Sequence, residues 1–252
     1  MPAPTNHFKA RLKSGETQIG LWLGMGEPTV AEVCAEAGFD WLVIDGEHGP
    51  NELRTIRDQL RVIEGKTSAV VRPRDDDRAW IKQLLDVGAQ TILIPMIESG
   101  DQAHEAVRSM LYPPLGLRGI GAALARASAY NAIPDYLQTA NDEVCLLLQV
   151  ENRAGVEALD DILAVDGVDG VFVGPADLAA DMGYIGNPGA PEVQAVVVDV
   201  LTRIRAAGKA AGILTSDRAL AQSYADMGVE FLAVGSDVGT LVGGLKALRG
   251  AF

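Results

Sequence analysis

Two carboxylates, Glu151 and Asp177, stand at the ends of two apolar runs and are the residues around which chemistry can be built. The first run, Val144-Cys145-Leu146-Leu147-Leu148-Gln149-Val150-Glu151, becomes polar only at its carboxyl end, as a strand buried on both faces should. Side chains alternate along a strand, so Gln149 and Glu151 point to one side. The second run, Gly170-Val171-Phe172-Val173, passes through Gly174-Pro175 to Asp177. Two acids released at successive strand ends can hold a hard divalent ion such as Mg²⁺, Mn²⁺ or Co²⁺, with water and a chelating substrate completing its oxygen shell. The alternative for each is a structural carboxylate that caps a helix or seals a loop.

Other strand ends add to this set. Trp41-Leu42-Val43-Ile44 is followed by Asp45-Gly46-Glu47-His48, and Ala69-Val70-Val71 by Arg72-Pro73. A guanidinium suits an enolate oxygen as negative charge develops there, and an imidazole titrates near neutrality and suits a general base. For Arg72 the competing reading is an ion pair on the rim. For Asp45 and Glu47 it is loop structure. The Pro-initiated turn at Gly174-Pro175-Ala176-Asp177 offers free backbone N–H groups to a substrate carboxylate.

These residues need a scaffold that gathers strand ends. Apolar strands alternate with helical patterns along the chain, at residues 19–24, 41–44, 69–73, 91–96, 144–151, 170–173, 211–215 and 231–235. That count predicts a (β/α)8 barrel whose strand exits form one face, and a length of 252 residues is close to the roughly 250 of one such domain. The competing open doubly wound sheet lacks its Gly-x-Gly-x-x-Gly turn after the first strand. Residues 112–142 form a long connection that reads as a lid, binding loop or subunit contact. With Trp22 and Leu214 to Ser216, that connection is expected to shape one side of the substrate pocket.

Composition narrows the function. A net charge of −13 argues against nucleic acid or an anionic membrane surface as partner. No uncharged apolar run is long enough to span a bilayer, and no signal peptide is visible, so a cytoplasmic protein is expected. Cys34 and Cys145 both lie in apolar elements and read as buried free thiols.

Across Val43-Ile44-Asp45-Gly46-Glu47-His48, Val71-Arg72-Pro73, Gln149-Val150-Glu151 and Gly174-Pro175-Ala176-Asp177-Leu178, the chain resembles the HpcH/HpaI family of class II pyruvate aldolases. The resemblance implies a divalent ion held by Glu151 and Asp177, with pyruvate chelated through its carboxylate and ketone. It implies that Arg72 holds the ketone or enolate oxygen, that Gln149 supports the ion's ligands, and that backbone at Ala176 and Asp177 meets the carboxylate. It makes His48 the base, working with Asp86. Asp86 falls late in the helix after the third strand, so in a simple barrel that pairing needs a shifted helix or a neighbouring subunit. The family also implies a homo-oligomer, a hexamer, with carboxyl-terminal helices swapped between subunits; the apolar segment 238–248 suits that or packing at home. The activity implied is reversible cleavage of a 4-hydroxy-2-oxo acid to pyruvate and an aldehyde.

Three competitors are weighed. A Schiff-base aldolase needs a lysine inside the barrel, and Lys9, Lys13, Lys66, Lys82, Lys209 and Lys246 all lie on helices, in loops or before strand starts. A metal-dependent acyl-CoA lyase wants basic surface for its nucleotide, which this acidic chain lacks. A non-catalytic barrel is the third.

Overall fold

A computed structural model describes residues 1–252. Eight parallel strands close on themselves in sequence order: β1 (Gln18–Leu23), β2 (Trp41–Asp45), β3 (Ser68–Arg72), β4 (Thr91–Ile94), β5 (Cys145–Val150), β6 (Gly170–Val173), β7 (Ala210–Leu214) and β8 (Phe231–Ser236). The expected (β/α)8 barrel is what forms. Helices α2 (Pro28–Ala35), α3 (Leu53–Ile63), α4 (Arg78–Asp86) and α5 (Gly100–Met110) separate the first four strands and leave the fourth. The helix α6 (Tyr136–Glu143) leads into β5. After β5 come α7 (Arg153–Glu157) and α8 (Leu159–Leu163), a broken pair, then α9 (Pro175–Asp181) and α10 (Pro191–Ala206). The chain closes with α11 (Arg218–Asp226) and α12 (Asp237–Gly250), and the short α1 (His7–Ser14) precedes β1.

Period-two alternation on fully buried strands splits the core into two layers. One side of each strand packs against the helices in a cluster of 44 buried residues, and the other fills the barrel with 13, among them Trp22, Trp41, Phe172 and Phe231. Gly20 and Gly212 make the filling possible, since a Cβ at either would come within 2.2 Å of the Trp41 or Phe231 ring. Phe8 of α1 packs against those two rings from the N-terminal end, tilted on Trp41 and edge-to-face on Phe231, at 5.7 and 6.0 Å between centroids. The barrel is therefore plugged at that end, and its strand exits face the other.

The connection between α5 and β5 departs from expectation. It contains two 3₁₀ turns (Ala122–Leu124 and Arg126–Ser128) and α6. Because barrel helices run antiparallel to the strands, a segment that follows a helix and precedes a strand lies at the N-terminal face. There Leu117 N–H donates to Arg108 O at 2.7 Å and Ala3 N–H to Thr139 Oγ1 at 2.8 Å. Within one chain this connection does not wall the aldehyde side of the strand exits. A second departure is Cys34, which is only partly buried, whereas Cys145 is enclosed; burial pushes both thiols up, Cys145 the further. No helix is long and apolar enough to cross a membrane.

Candidate active site

β2 and β3 pair in parallel register so that their last residues, Asp45 and Arg72, are partners and their side chains emerge on one side. The pair is buried and bidentate: Arg72 Nε donates to Asp45 Oδ1 at 2.9 Å and Nη2 to Oδ2 at 2.7 Å. Asp45 also accepts from Trp22 Nε1 at 3.1 Å and from the backbone N–H groups of Glu47 (3.0 Å) and His48 (3.3 Å). Burial works against its charge, yet Arg72 and these donors hold the carboxyl below the usual range. The Trp22 ring lies 4.9 Å from the Arg72 guanidinium carbon, so the arginine is clamped at its edge and supported on its face. Both Asp45 oxygens are engaged inside the protein, and through them Asp45 positions Arg72. Trp22 likewise supports the arginine.

Glu47 lies on the other side of Arg72, its Oε2 2.7 Å from Nη1 in an ion pair whose angle is not that of a hydrogen bond. Burial pushes the Glu47 carboxyl up, Arg72 and His48 oppose that, and the charges of Asp45 and Asp177 add to the rise. Glu47 is therefore the residue that couples the arginine to the acids of β5 and α9. Its position two beyond Asp45 was visible in the sequence, but nothing there distinguished it from a loop residue.

Glu151 follows β5 and is 2 % exposed. One oxygen accepts the Met96 backbone N–H at 2.9 Å, and the other accepts from Gln149 Nε2. The two-residue spacing read from the sequence thus produces a direct contact, and Gln149 Oε1 is left buried without a hydrogen-bond partner. Gly174, which N-caps α9, makes room: a Cβ there would sit 2.5 Å from Glu151 Oε2. Burial raises the Glu151 carboxyl to about 7; Met96 and Gln149 pull against this, while the charges of Glu47 and Asp177 push further. Asp177, in the first turn of α9, is exposed, and its charge acts on both Glu47 and Glu151. Met96 carries no mark in the sequence, since β4 ends in no titratable group; Gly174 was marked for the turn it opens, not for the room it gives Glu151.

The remaining expected residues divide. His48 stands at the rim with a side chain 71 % exposed and Nε2 3.9 Å from Glu47 Oε2. Ala176 is exposed at the start of α9, where Gly174 offers no capping side chain. Leu214, at the end of β7, packs on the barrel filling and lines a cleft of about 520 Å³ together with Ala176, Thr215 and Ser236. Asp86 is elsewhere. It is the last residue of α4, at the N-terminal face, where Arg118 Nη2 donates to it at 3.0 Å, so a single chain does not bring it to His48.

No three His, Cys, Asp or Glu side chains converge to hold an ion by themselves. The donor set nevertheless fits a divalent ion bound by two carboxylates, with water and substrate supplying the other oxygens. Glu151, Asp177 and Glu47 place three acids near one guanidinium, and the charges of the other two add to the burial that drives Glu151 toward its neutral form. A cation there would relieve that repulsion.

Residues 18–243 match the HpcH/HpaI aldolase/citrate lyase family. The chain belongs to that family. It is 55 % identical to a hydroxypyruvate/pyruvate aldolase of Pseudomonas aeruginosa, over 100 % of this chain and 94 % of that one. It is also 55 % identical to a 4-hydroxy-2-oxo-heptane-1,7-dioate aldolase of Escherichia coli, over 98 % of this chain and 95 % of the relative. Among solved structures it resembles an HpcH/HpaI aldolase/citrate lyase family protein from Burkholderia cenocepacia, with a TM-score of 0.93 and 42 % identity over 98 % of both chains. This HpcH/HpaI chain is thus a carbon–carbon lyase of the class II aldolase type.

Proposed function

We propose that this chain cleaves 4-hydroxy-2-oxo acids reversibly to pyruvate and an aldehyde, with a divalent ion, Mg²⁺, Mn²⁺ or Co²⁺, held by Glu151 and Asp177. The observation that carries the reading is the buried Glu151, raised to about 7 beside Asp177 and Glu47, at the mouth where Asp45 fixes Arg72. When bound, the ion supplies Lewis-acid polarisation of the 2-oxo group. Gln149 steadies Glu151. N–H groups at Ala176 and Asp177 meet the substrate carboxylate. His48 takes the proton of the C4 hydroxyl, the C3–C4 electron pair moves into the enolate, and the aldehyde departs. Arg72 faces the developing oxyanion with N–H groups not engaged by Asp45, preorganised so that no reorientation is needed during the reaction. Protonation at C3 gives pyruvate. Leu214 and the cleft beside it receive the aldehyde, and apolar walls of that kind discriminate by only about 1–3 kcal/mol per methylene.

Methyl proton exchange of pyruvate in D₂O, followed by NMR, tests the reading. Exchange is expected with Mg²⁺, Mn²⁺ or Co²⁺ added to stripped protein, and is expected to vanish in Glu151→Ala and Asp177→Ala. No exchange with any of the ions overturns it.

We further infer a homo-oligomer built through α12. Along that helix Leu241, Leu245 and Leu248 are 46, 57 and 63 % exposed, and only Asp237 is buried. A helix with this much apolar surface open to water supports packing on another copy rather than at home. The resemblance makes the assembly a hexamer with exchanged helices, and a neighbouring copy would also be the route by which Asp86 reaches a His48. Light scattering is expected to give the hexamer mass; a monomer overturns this.

A further inference from the structure

Met96 is the only non-glycine residue with a left-handed backbone near the strand exits: its φ is 56°, and the others with positive φ are Ala129, Tyr130 and Asn131 at the opposite face. A side chain that leaves Cβ near the carbonyl makes this conformation unfavourable for a residue such as methionine, and it persists only where the surroundings impose it. Here both neighbours impose it. Pro95 is buried at the end of β4, and Ile97 is fully buried, with its N–H donated to Gln149 O at 3.0 Å. Gln102 completes the anchoring, accepting the Glu98 N–H at 2.9 Å on its side-chain oxygen. Met96 is 45 % exposed, so its side chain does little to hold this conformation.

What the turn achieves is the direction of one bond. With Met96 left-handed, its N–H points at Glu151 Oε1 at 2.9 Å, so that Glu151 is held at both oxygens, by Met96 on one and Gln149 on the other. We infer that the left-handed Met96 is a positioning residue, whose backbone fixes the orientation of Glu151 for the divalent ion. β4 thereby contributes to the site without lending it any side chain. The inference rests on the metal reading above, and it assigns the orientation of Glu151 to a backbone conformation that glycine adopts freely and a β-branched residue does not.

The test is Mn²⁺ affinity by calorimetry on the whole protein, beside the thermal midpoint of the metal-free protein, for wild type, Met96→Gly, Met96→Ala and Met96→Val. Partners that orient a metal's ligands alter affinity by about 10–100-fold when lost. Met96→Val is expected to weaken Mn²⁺ binding within that range, whereas Met96→Ala, which keeps the same unbranched Cβ, and Met96→Gly are expected to keep the wild-type affinity although each truncates the side chain. Should Met96→Val not fold, Met96→Thr supplies the β-branched member of the series. Equal affinity across the series, with wild type binding, overturns this inference alone; so does Met96→Gly binding as weakly as Met96→Val, which would assign the effect to the side chain. Wild type that binds no Mn²⁺ overturns the metal reading and this inference with it.

Discussion

The two ends of the barrel carry the same trio in opposite states. At the strand exits Asp45 holds Arg72, with the Trp22 ring 4.9 Å from the guanidinium; at the N-terminal face Asp86 holds Arg118, with the Tyr112 ring at 4.3 Å. Around Arg118 the charge balances, and Arg118 Nε and the Tyr112 hydroxyl are sealed in without partners. Around Arg72, Glu47, Glu151 and Asp177 leave an excess of acid. The same carboxylate–guanidinium–aromatic unit serves as a structural strut where charges cancel, and as a preorganised cation where they do not. Residue type alone does not separate the two; the surrounding charge does.

The strongest way to break this contrast is Arg72→Lys. A lysine cannot reproduce the fork that grips Asp45, and loss of a preorganised oxyanion donor costs about 10²–10³-fold in kcat. Mn²⁺ affinity, measured on the same variant, is expected to stay near that of wild type, because lysine keeps the positive charge. A wild-type rate would make Arg72 a strut like Arg118.

At the other end the expected effect is on stability. Asp86→Ala strands a guanidinium whose side chain is 1 % exposed, and breaking a buried pair in this way costs about 3–5 kcal/mol. Arg118→Met costs less, because the Asp86 side chain it leaves is 26 % exposed and water can solvate it. Urea unfolding of the pair of variants checks the order, and the reverse order would mean that Arg118 is not the buried partner.

The burial of Glu151, with the acid excess adding to it, also predicts a pH dependence. Glu151 is raised to about 7 from an ordinary 4.5, so between those values the folded, metal-free protein holds a proton that the unfolded chain has released. Stability from this group is therefore present below that window and falls as pH rises through it. An ion needs the carboxylate, so Mn²⁺ affinity is expected to drop about tenfold per pH unit below pH 7. Affinity that is flat from pH 5 to 7 would remove Glu151 from the ion's ligands.

The smallest expected effect is that of Trp22→Phe, which keeps a ring beneath Arg72 and deletes the Nε1 hydrogen bond to Asp45. A hydrogen bond to a charged group contributes about 1.5–3 kcal/mol, and the low end is expected here because Asp45 keeps its other donors. The readout is the unfolding free energy.

Much of this architecture is written locally. Each strand is a short apolar run that turns polar at its exit, and burial on both faces leaves that trace in the sequence whatever the partner strands are. The alternation of such runs with helical segments specified the barrel, and the barrel placed Glu151, Asp45 and Arg72 on one face. The same topology carries the 112–142 connection to the other face, so that of the lid, binding loop or subunit contact its length suggested, a lid or binding loop over the strand exits does not form within one chain.

What tertiary structure decided is which polar atoms are already engaged. Asp45 and Arg72 lie 27 residues apart, and Met96 and Glu151 lie 55 apart. Whether each carboxylate is saturated, shared or left charged depends on ångström geometry between those distant segments. Periodicity records burial residue by residue and carries no information about such pairings. So the sequence by itself determined the strands, their order and the acids at their exits. The fold decided that Asp45 is a clamp, that Asp86 is a strut at the far end within one chain, that a methionine's backbone holds Glu151, and that α12 finds little of the barrel to cover it.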